Sequence, residues 1–255
     1  MELDFLTQLS FWSALGQIIL IDILLGGDNA VVIALACRKL PAKQRTQGIV
    51  WGTIGAIVLR VVLIIFAMTL LALPFLKVVG AFLLLWIGVK LLAPEEEEHG
   101  NITESDKLLA AIRTVIMADL VMSIDNVIAI AGAAQNAGPH ATLLVVLGLL
   151  ISIPIIVGGS QLVIKLMERF PWVIVAGGML LGWIAGGMLV TDPVFVRPDA
   201  WLWLPKWGTL GDKGLPVVPD ALHWSAQVAG AVLVLLVGKW LAARAKPKQA
   251  AVAGD

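Results

Sequence analysis

Charge is scarce in this sequence. Asp, Glu, Lys and Arg make up only 14% of its 255 residues, against about 25% in soluble domains. A soluble protein must still face water with polar groups, so a large globular core does not account for the deficit. Cysteine is nearly absent. Cys37 stands alone, which excludes an intramolecular disulfide framework and a CxxC redox or metal site. Three scattered histidines make no His-rich zinc site. Net charge is zero, so no bulk basicity points to nucleic acid. The start, Met1-Glu2-Leu3-Asp4, lacks the basic segment and small-residue cleavage site of a signal peptide. The first apolar segment is therefore expected to be retained. No nucleotide-binding motif occurs, which argues against ATP-driven transport by this chain alone.

What the chain has instead is apolar length. Hydrophobic residues make up 59% of it, and the mean hydropathy is +0.94. About twenty apolar residues at ~1.5 Å each cross the ~30 Å hydrocarbon layer. Spans are predicted at roughly 11–37, 47–73, 75–93, 108–134, 141–164, 171–190 and 223–243. All should be helical, because backbone exposed to lipid must satisfy its own hydrogen bonds. Pro74, Pro94, Pro139 and Pro171 mark the joints. Pro154 lies inside the fifth span and predicts a kink there. The expected fold is an all-α membrane protein of about seven transmembrane helices, one transmembrane domain over 1–255. Its expected setting is the bilayer of the cell (inner or plasma) membrane; homo-oligomers stay open.

Lys and Arg set the orientation. Arg38, Lys39, Lys43, Arg45, Lys90, Lys107, Arg113, Lys165, Arg169, Lys239, Arg244, Lys246 and Lys248 fall on one side. Only Lys77, Arg197, Lys206 and Lys213 fall on the other. The bias puts the N-terminus outside and the C-terminus in the cytoplasm. Trp12, Trp51, Trp172, Trp224 and Trp240 lie near span ends, as an aromatic belt does. The one long external loop, 191–222, carries Trp201, Trp203 and Trp207 and reads as an interfacial or re-entrant hairpin.

An internal repeat is present. Asp22-x5-Asp28-Asn29 matches Asp119-x5-Asp125-Asn126 at an offset of 97. The same offset pairs Trp86-Ile87 with Trp183-Ile184, and an offset of 96 pairs Gly52 with Gly148. The repeat units are about 11–93 and 108–190, with the helix at 223–243 added. Three crossings per unit would set the second copy upside down relative to the first. Inverted repeats of this kind characterise secondary transporters, whose sites lie near the midplane at the repeat interface.

The acids sit inside these spans. An Asp at a helix centre costs about 2.5–3.5 kcal/mol on an insertion scale, so four cost roughly 10–14 kcal/mol unless compensated. Asp22, Asp28, Asp119 and Asp125, with Asn29 and Asn126, offer hard oxygen donors and no nitrogen or sulfur ligand. Such donors suit Mg²⁺, Ca²⁺ or Mn²⁺ and disfavour zinc and copper. Binding would displace protons. Gly26-Gly27 is a candidate helix break, or a close-packing site for small residues. The second copy has Ser123-Ile124 there, and Ser123 is within reach of Asp119. Arg60 lies mid-span and reads as a counter-ion to the acids, its counterpart being Ile156. Snorkelling to a span edge is the plainer reading. The run Glu95–His99 reads as a solvated linker. Gln17, Gln135, Asn136 and Gln161 read as interhelical glue or as the lining of an aqueous path.

With these motifs in view, the chain resembles the TerC family of integral membrane proteins, in particular its shorter YjbE-like branch. The resemblance implies a relation to the LysE-type exporter superfamily and a link to manganese export. The family's older association with tellurium resistance implies nothing about tellurium for this chain. The leading expectation is a secondary transporter, not an enzyme and without a resident cofactor. It would export a divalent cation, with Mn²⁺ favoured and Ca²⁺ or Mg²⁺ open, in exchange for protons. Two other readings stand beside it. One is a metal-delivery or sensing subunit without transport of its own. The other is an intramembrane aspartyl hydrolase, although Leu25-Gly26-Gly27-Asp28 lacks the GxGD order of that group.

Overall fold

In a computed structural model of the protein, the described residues are 9–66, 73–93, 103–135, 141–196, 206–211 and 216–252. They are almost all helical. In chain order they form α1 (Leu9–Leu25), α2 (Gly27–Cys37), α3 (Ala42–Ile65), α4 (Leu76–Leu92), α5 (Glu104–Gln135), α6 (Ala141–Arg169), α7 (Trp172–Val190) and α8 (Pro193–Val196). A two-residue antiparallel ladder, β1 (Thr209–Leu210) with β2 (Pro216–Val217), precedes α9 (Asp220–Val252).

Each predicted segment holds a helix, with shifted ends. Among the described residues α3, α6, α7 and α9 are long and apolar enough to cross a membrane. The bent pair α1–α2 adds a fifth candidate. α4 has 17 residues and α5 has 32. α3 starts at Ala42 because Pro41 stands in extended backbone and leads into Ala-Lys-Gln-Arg, all good helix formers. It ends at Ile65, where the Phe66 N–H donates back to the Val62 carbonyl at 3.3 Å. α6 runs through Pro154 as one helix.

The chain forms two compact units. The first unit draws on α1, α2, α3, α5 and nearly all of α6. These helices cover the first two predicted spans of each sequence repeat. The second takes α4, α7, α8, the ladder and α9, so it holds the third predicted span of each sequence repeat and the added helix.

In the first unit, Ile18 is fully buried among Leu15, Ile57, Leu144, Val145 and Leu149. Two close approaches echo the repeat. A Cβ on Gly52 would lie 2.9 Å from Val115 Cγ1, and one on Gly148 would lie 2.6 Å from Ile18 Cγ2. Val115 and Ile18 are themselves 97 apart. α3 thus packs on α5, and α6 on α1, through residues that match in the sequence repeat.

In the second unit, α7 and α9 touch backbone to backbone. A Cβ on Gly182 would lie 2.3 Å from the Gly230 carbonyl oxygen, and one on Gly186 would lie 2.0 Å from that of Ala226. Small residues at four-residue spacing permit this approach. Trp183 packs edge-on against Trp224 at 5.4 Å. Asp192, fully buried, accepts the N–H groups of Phe75, Lys77 and Val78 at 3.0–3.1 Å and that of Val194 at 2.8 Å. It thereby caps both α4 and α8. Trp207 stacks on Phe195 at 4.1 Å and donates to the Val190 carbonyl at 2.9 Å. Trp201, Trp203, the Glu95–His99 run, Asn136 and His140 lie outside the described residues.

Candidate functional site

The candidate site is built within the first unit, around one arginine. α3 carries Arg60 five residues before its end, and the side chain is only 2% exposed. All three guanidinium nitrogens find acceptors. Nη1 donates to Asp22 Oδ1 on α1, Nη2 to Asp119 Oδ1 on α5, and Nε to Ser123 Oγ at 2.9 Å. Ser123 donates in turn to Asp119 Oδ2 at 3.0 Å, one helical turn away. Asp22 and Asp119 are both buried. Removing one member of a buried ion pair typically costs about 3–5 kcal/mol, because the partner is left charged and alone. The deep position of Arg60 therefore follows from its two carboxylates. A snorkelling side chain would instead have reached water.

The network is not closed. Among the described residues, Asp22 Oδ2 is buried and has no hydrogen-bond partner, and neither has either amide atom of Asn29. Buried polar atoms are nearly always paired, so such orphans mark a place built for something else. Thr53 Oγ1 is likewise buried and unpartnered, on the same face of α3 seven residues before Arg60. On α6, Ser152 Oγ is buried and donates to the Gly148 carbonyl at 3.0 Å.

The backbone breaks beside these atoms. α1 and α2 meet at Gly26 with a bend of 48°. A Cβ on Gly26 would lie 2.4 Å from the Asp22 carbonyl oxygen, so the break as formed admits only glycine. The end of a helix leaves carbonyls without intrahelical donors. That of Leu25 accepts Asn126 Nδ2 at 3.3 Å. A second-copy residue thus ties down the first-copy break.

The remaining sequence-predicted residues are placed as follows. Asp28 is half-buried in the first turn of α2, where a negative charge complements the helix dipole. Its Oδ1 accepts the Asn29 backbone N–H at 2.9 Å. Asn29 is buried on the same turn. Asp125 lies on continuous helix, and its side chain is outside the described residues, as is that of Gln135. Among the described residues no three His, Cys, Asp or Glu side chains gather closely enough to hold one metal ion. The structure therefore joins Asp22, Arg60, Asp119 and Ser123 directly, and sets Asn126 at the break. Asp28 makes no bond to Arg60.

Sequence reasoning passed over Thr53, Ser152 and Asp192. The first two carry no readable signal, being small polar residues in apolar runs. Asp192 does carry one. It stands between Thr191 and Pro193, and an acid before a proline is a helix-start pattern.

Residues 7–246 match the family model described as integral membrane protein TerC family. The chain is 45% identical to the membrane protein YjbE of Bacillus subtilis over 192 residues, 75% of this chain and 83% of that one. It is 30% identical to the membrane protein YceF of the same organism, over 49% of this chain and 52% of that one. It is also 30% identical to the inner membrane protein YgdQ of Escherichia coli, over 51% of this chain and 62% of that one. No solved structure matches.

Proposed function

This chain belongs to the TerC family of integral membrane proteins, and from that premise we propose that it is a secondary transporter exporting a divalent cation, Mn²⁺ first, in exchange for protons. The observation that carries the reading is the buried meeting of Asp22 and Asp119. These acids are equivalent in the two copies, and one guanidinium holds them together beside unpartnered oxygen atoms.

The ligand set is Asp22, Asp28, Asn29, Asp119, Asp125 and Asn126. Hard divalent cations take about six oxygen ligands, and Asp22 Oδ2 and Asn29 Oδ1 are two with no competing donor. The family resemblance favours manganese among the hard cations. Carboxylates must be ionised to bind it, so cargo entry releases protons and cargo exit takes them up. The carrier has seven crossings arranged as two inverted three-helix repeats and an added helix. Its N-terminus lies outside and its C-terminus in the cytoplasm, in the cell membrane. The matched contacts Gly52–Val115 and Gly148–Ile18 support the repeat. The bend at Gly26 supports a site made by a discontinuous helix, as transporters use.

The test is flux in reconstituted vesicles, with Mn²⁺, Ca²⁺, Mg²⁺ and a pH gradient varied separately. Mn²⁺ movement driven by the pH gradient is expected, and Asp22→Asn and Asp125→Asn should each abolish it. Full Mn²⁺ flux in either variant would remove that residue from the mechanism. Binding without flux for every cation would favour a delivery or sensing subunit.

A further inference from the structure

On the transporter reading above, we propose that Arg60 is a tethered substitute for the transported cation. It occupies the two carboxylates when cargo is absent, and so allows the empty carrier to reorient. This adds to transport the step that separates net movement from exchange.

The geometry is that of a cation in a shared seat. Arg60 spends Nη1 on one copy's acid and Nη2 on the other's, and steadies itself through Nε on Ser123. The acids are duplicated and the arginine is not. Its counterpart Ile156 is apolar and buried. One positive group serving two equivalent acids is what a single bound ion would do in that place. A guanidinium does not give up its proton in proteins, so this charge is permanent. It also sits at the end of a long stem of rotatable bonds, and on this proposal it withdraws when cargo enters. Asp22 Oδ2 and the Asn29 amide are left unpartnered, so the seat is not completed by the arginine.

Arginine and cargo must then compete, because a divalent cation and a guanidinium at the same carboxylates repel each other. Cargo entry loosens Arg60 and cargo exit restores it. Without Arg60, an emptied site leaves the Asp22 and Asp119 carboxylates facing each other with no fixed cation, so at a fixed pH both must wait for protons before the site can return, and the charged pair is costly to form. The carrier would be slow to return empty. Exchange of cation for cation never needs the empty return, so it depends on Arg60 less than net efflux does.

The test uses the full chain in sealed vesicles at one fixed pH, with Mn²⁺ as the probe. Net efflux into cation-free medium is compared with radiotracer exchange when Mn²⁺ is present on both sides. In Arg60→Gln the ratio of net efflux to exchange is expected to fall about tenfold or more. An unchanged ratio, or equal loss of both modes in a monodisperse variant, overturns the proposal. Arg60→Lys keeps the buried charge but offers one nitrogen for two carboxylates, so it should compete less well with cargo. Its half-saturating Mn²⁺ concentration for exchange is expected to drop severalfold. An unchanged or raised value overturns the proposal even where the Gln variant fails to fold. A wild-type chain with no Mn²⁺ flux in either mode would sink the transporter reading itself, and that outcome is visible without any variant.

Discussion

In the first copy the Asp-x5-Asp-Asn motif straddles a break between two helices; in the second it lies on one unbroken helix. The acids match and the backbones do not. The difference traces to one pair of equivalent positions, Gly26 and Ser123, each four residues after its Asp. Ser123 bonds Asp119 and Arg60, so both oxygens of Asp119 are engaged. Gly26 has nothing to offer Asp22, whose Oδ2 stays unpartnered. The duplicated motif has thus become a satisfied, straight half and an open, bent half. A guanidinium and a divalent cation 4 Å apart would repel by about 8 kcal/mol at an effective dielectric of about 20. On the transporter reading, Asp22 offers cargo the one carboxylate oxygen of this pair that has no partner among the described residues.

The comparison can be broken by substitution. The largest effect is expected from Asp22→Asn, which should cost transport about 100-fold or more, in line with the loss of one member of a buried pair. Asp119→Asn should cost less, because Ser123 remains to hold Arg60. Initial rates in vesicles give the order, and a more severe Asp119 variant would reverse the assignment of the two halves. Next comes Gly26→Ala, whose added carbon meets a backbone oxygen at 2.4 Å. It should lower stability by about 3 kcal/mol, the upper end for overpacking. Thermal unfolding in detergent measures it, and wild-type stability would mean that the bend is not needed.

Smaller effects sharpen the symmetry. Gly148→Ala and Gly52→Ala press on the matching side chains Ile18 and Val115, which are stiff at their branched Cβ and can shift only slightly. Each should cost about 1 kcal/mol, the first slightly more because its contact is tighter. Widely different melting shifts would show that the two contacts are not equivalents. The smallest is Asn126→Ala, which removes one 3.3 Å hydrogen bond to the Leu25 carbonyl. About 0.5–1 kcal/mol is expected, and a larger loss would give Asn126 a role beyond tying the break.

Much of this was legible because lipid makes polar residues conspicuous. Asp22, Asp119 and Arg60 stood out in apolar runs, since each needs compensation there. The sequence left Gly26-Gly27 open between packing and unwinding, and the structure bends there by 48°. Some features left weaker traces. The apolar run from Phe66 to Leu73 continues past the end of α3, so hydropathy carries no mark of a stop at Ile65. The spacing of Gly178, Gly182 and Gly186 was present but hidden among other small residues. The capping of α4 by Asp192 joins residues more than a hundred apart, which no local pattern encodes. Nor did the lone arginine announce that it binds both acids at once, because Ile156 breaks the repeat there.

The Arg60 network also has an order in time. Asp22 leaves the ribosome 38 residues before Arg60, and Arg60 leaves it 59 before Asp119. At roughly 5–20 residues per second, the first acid waits about 2–8 s for its cation, and that cation waits longer for its second acid. The first helix therefore reaches the insertion machinery carrying a carboxyl whose partners its own chain has not yet made. The first copy's ion pairs are complete only when the second copy has been synthesised.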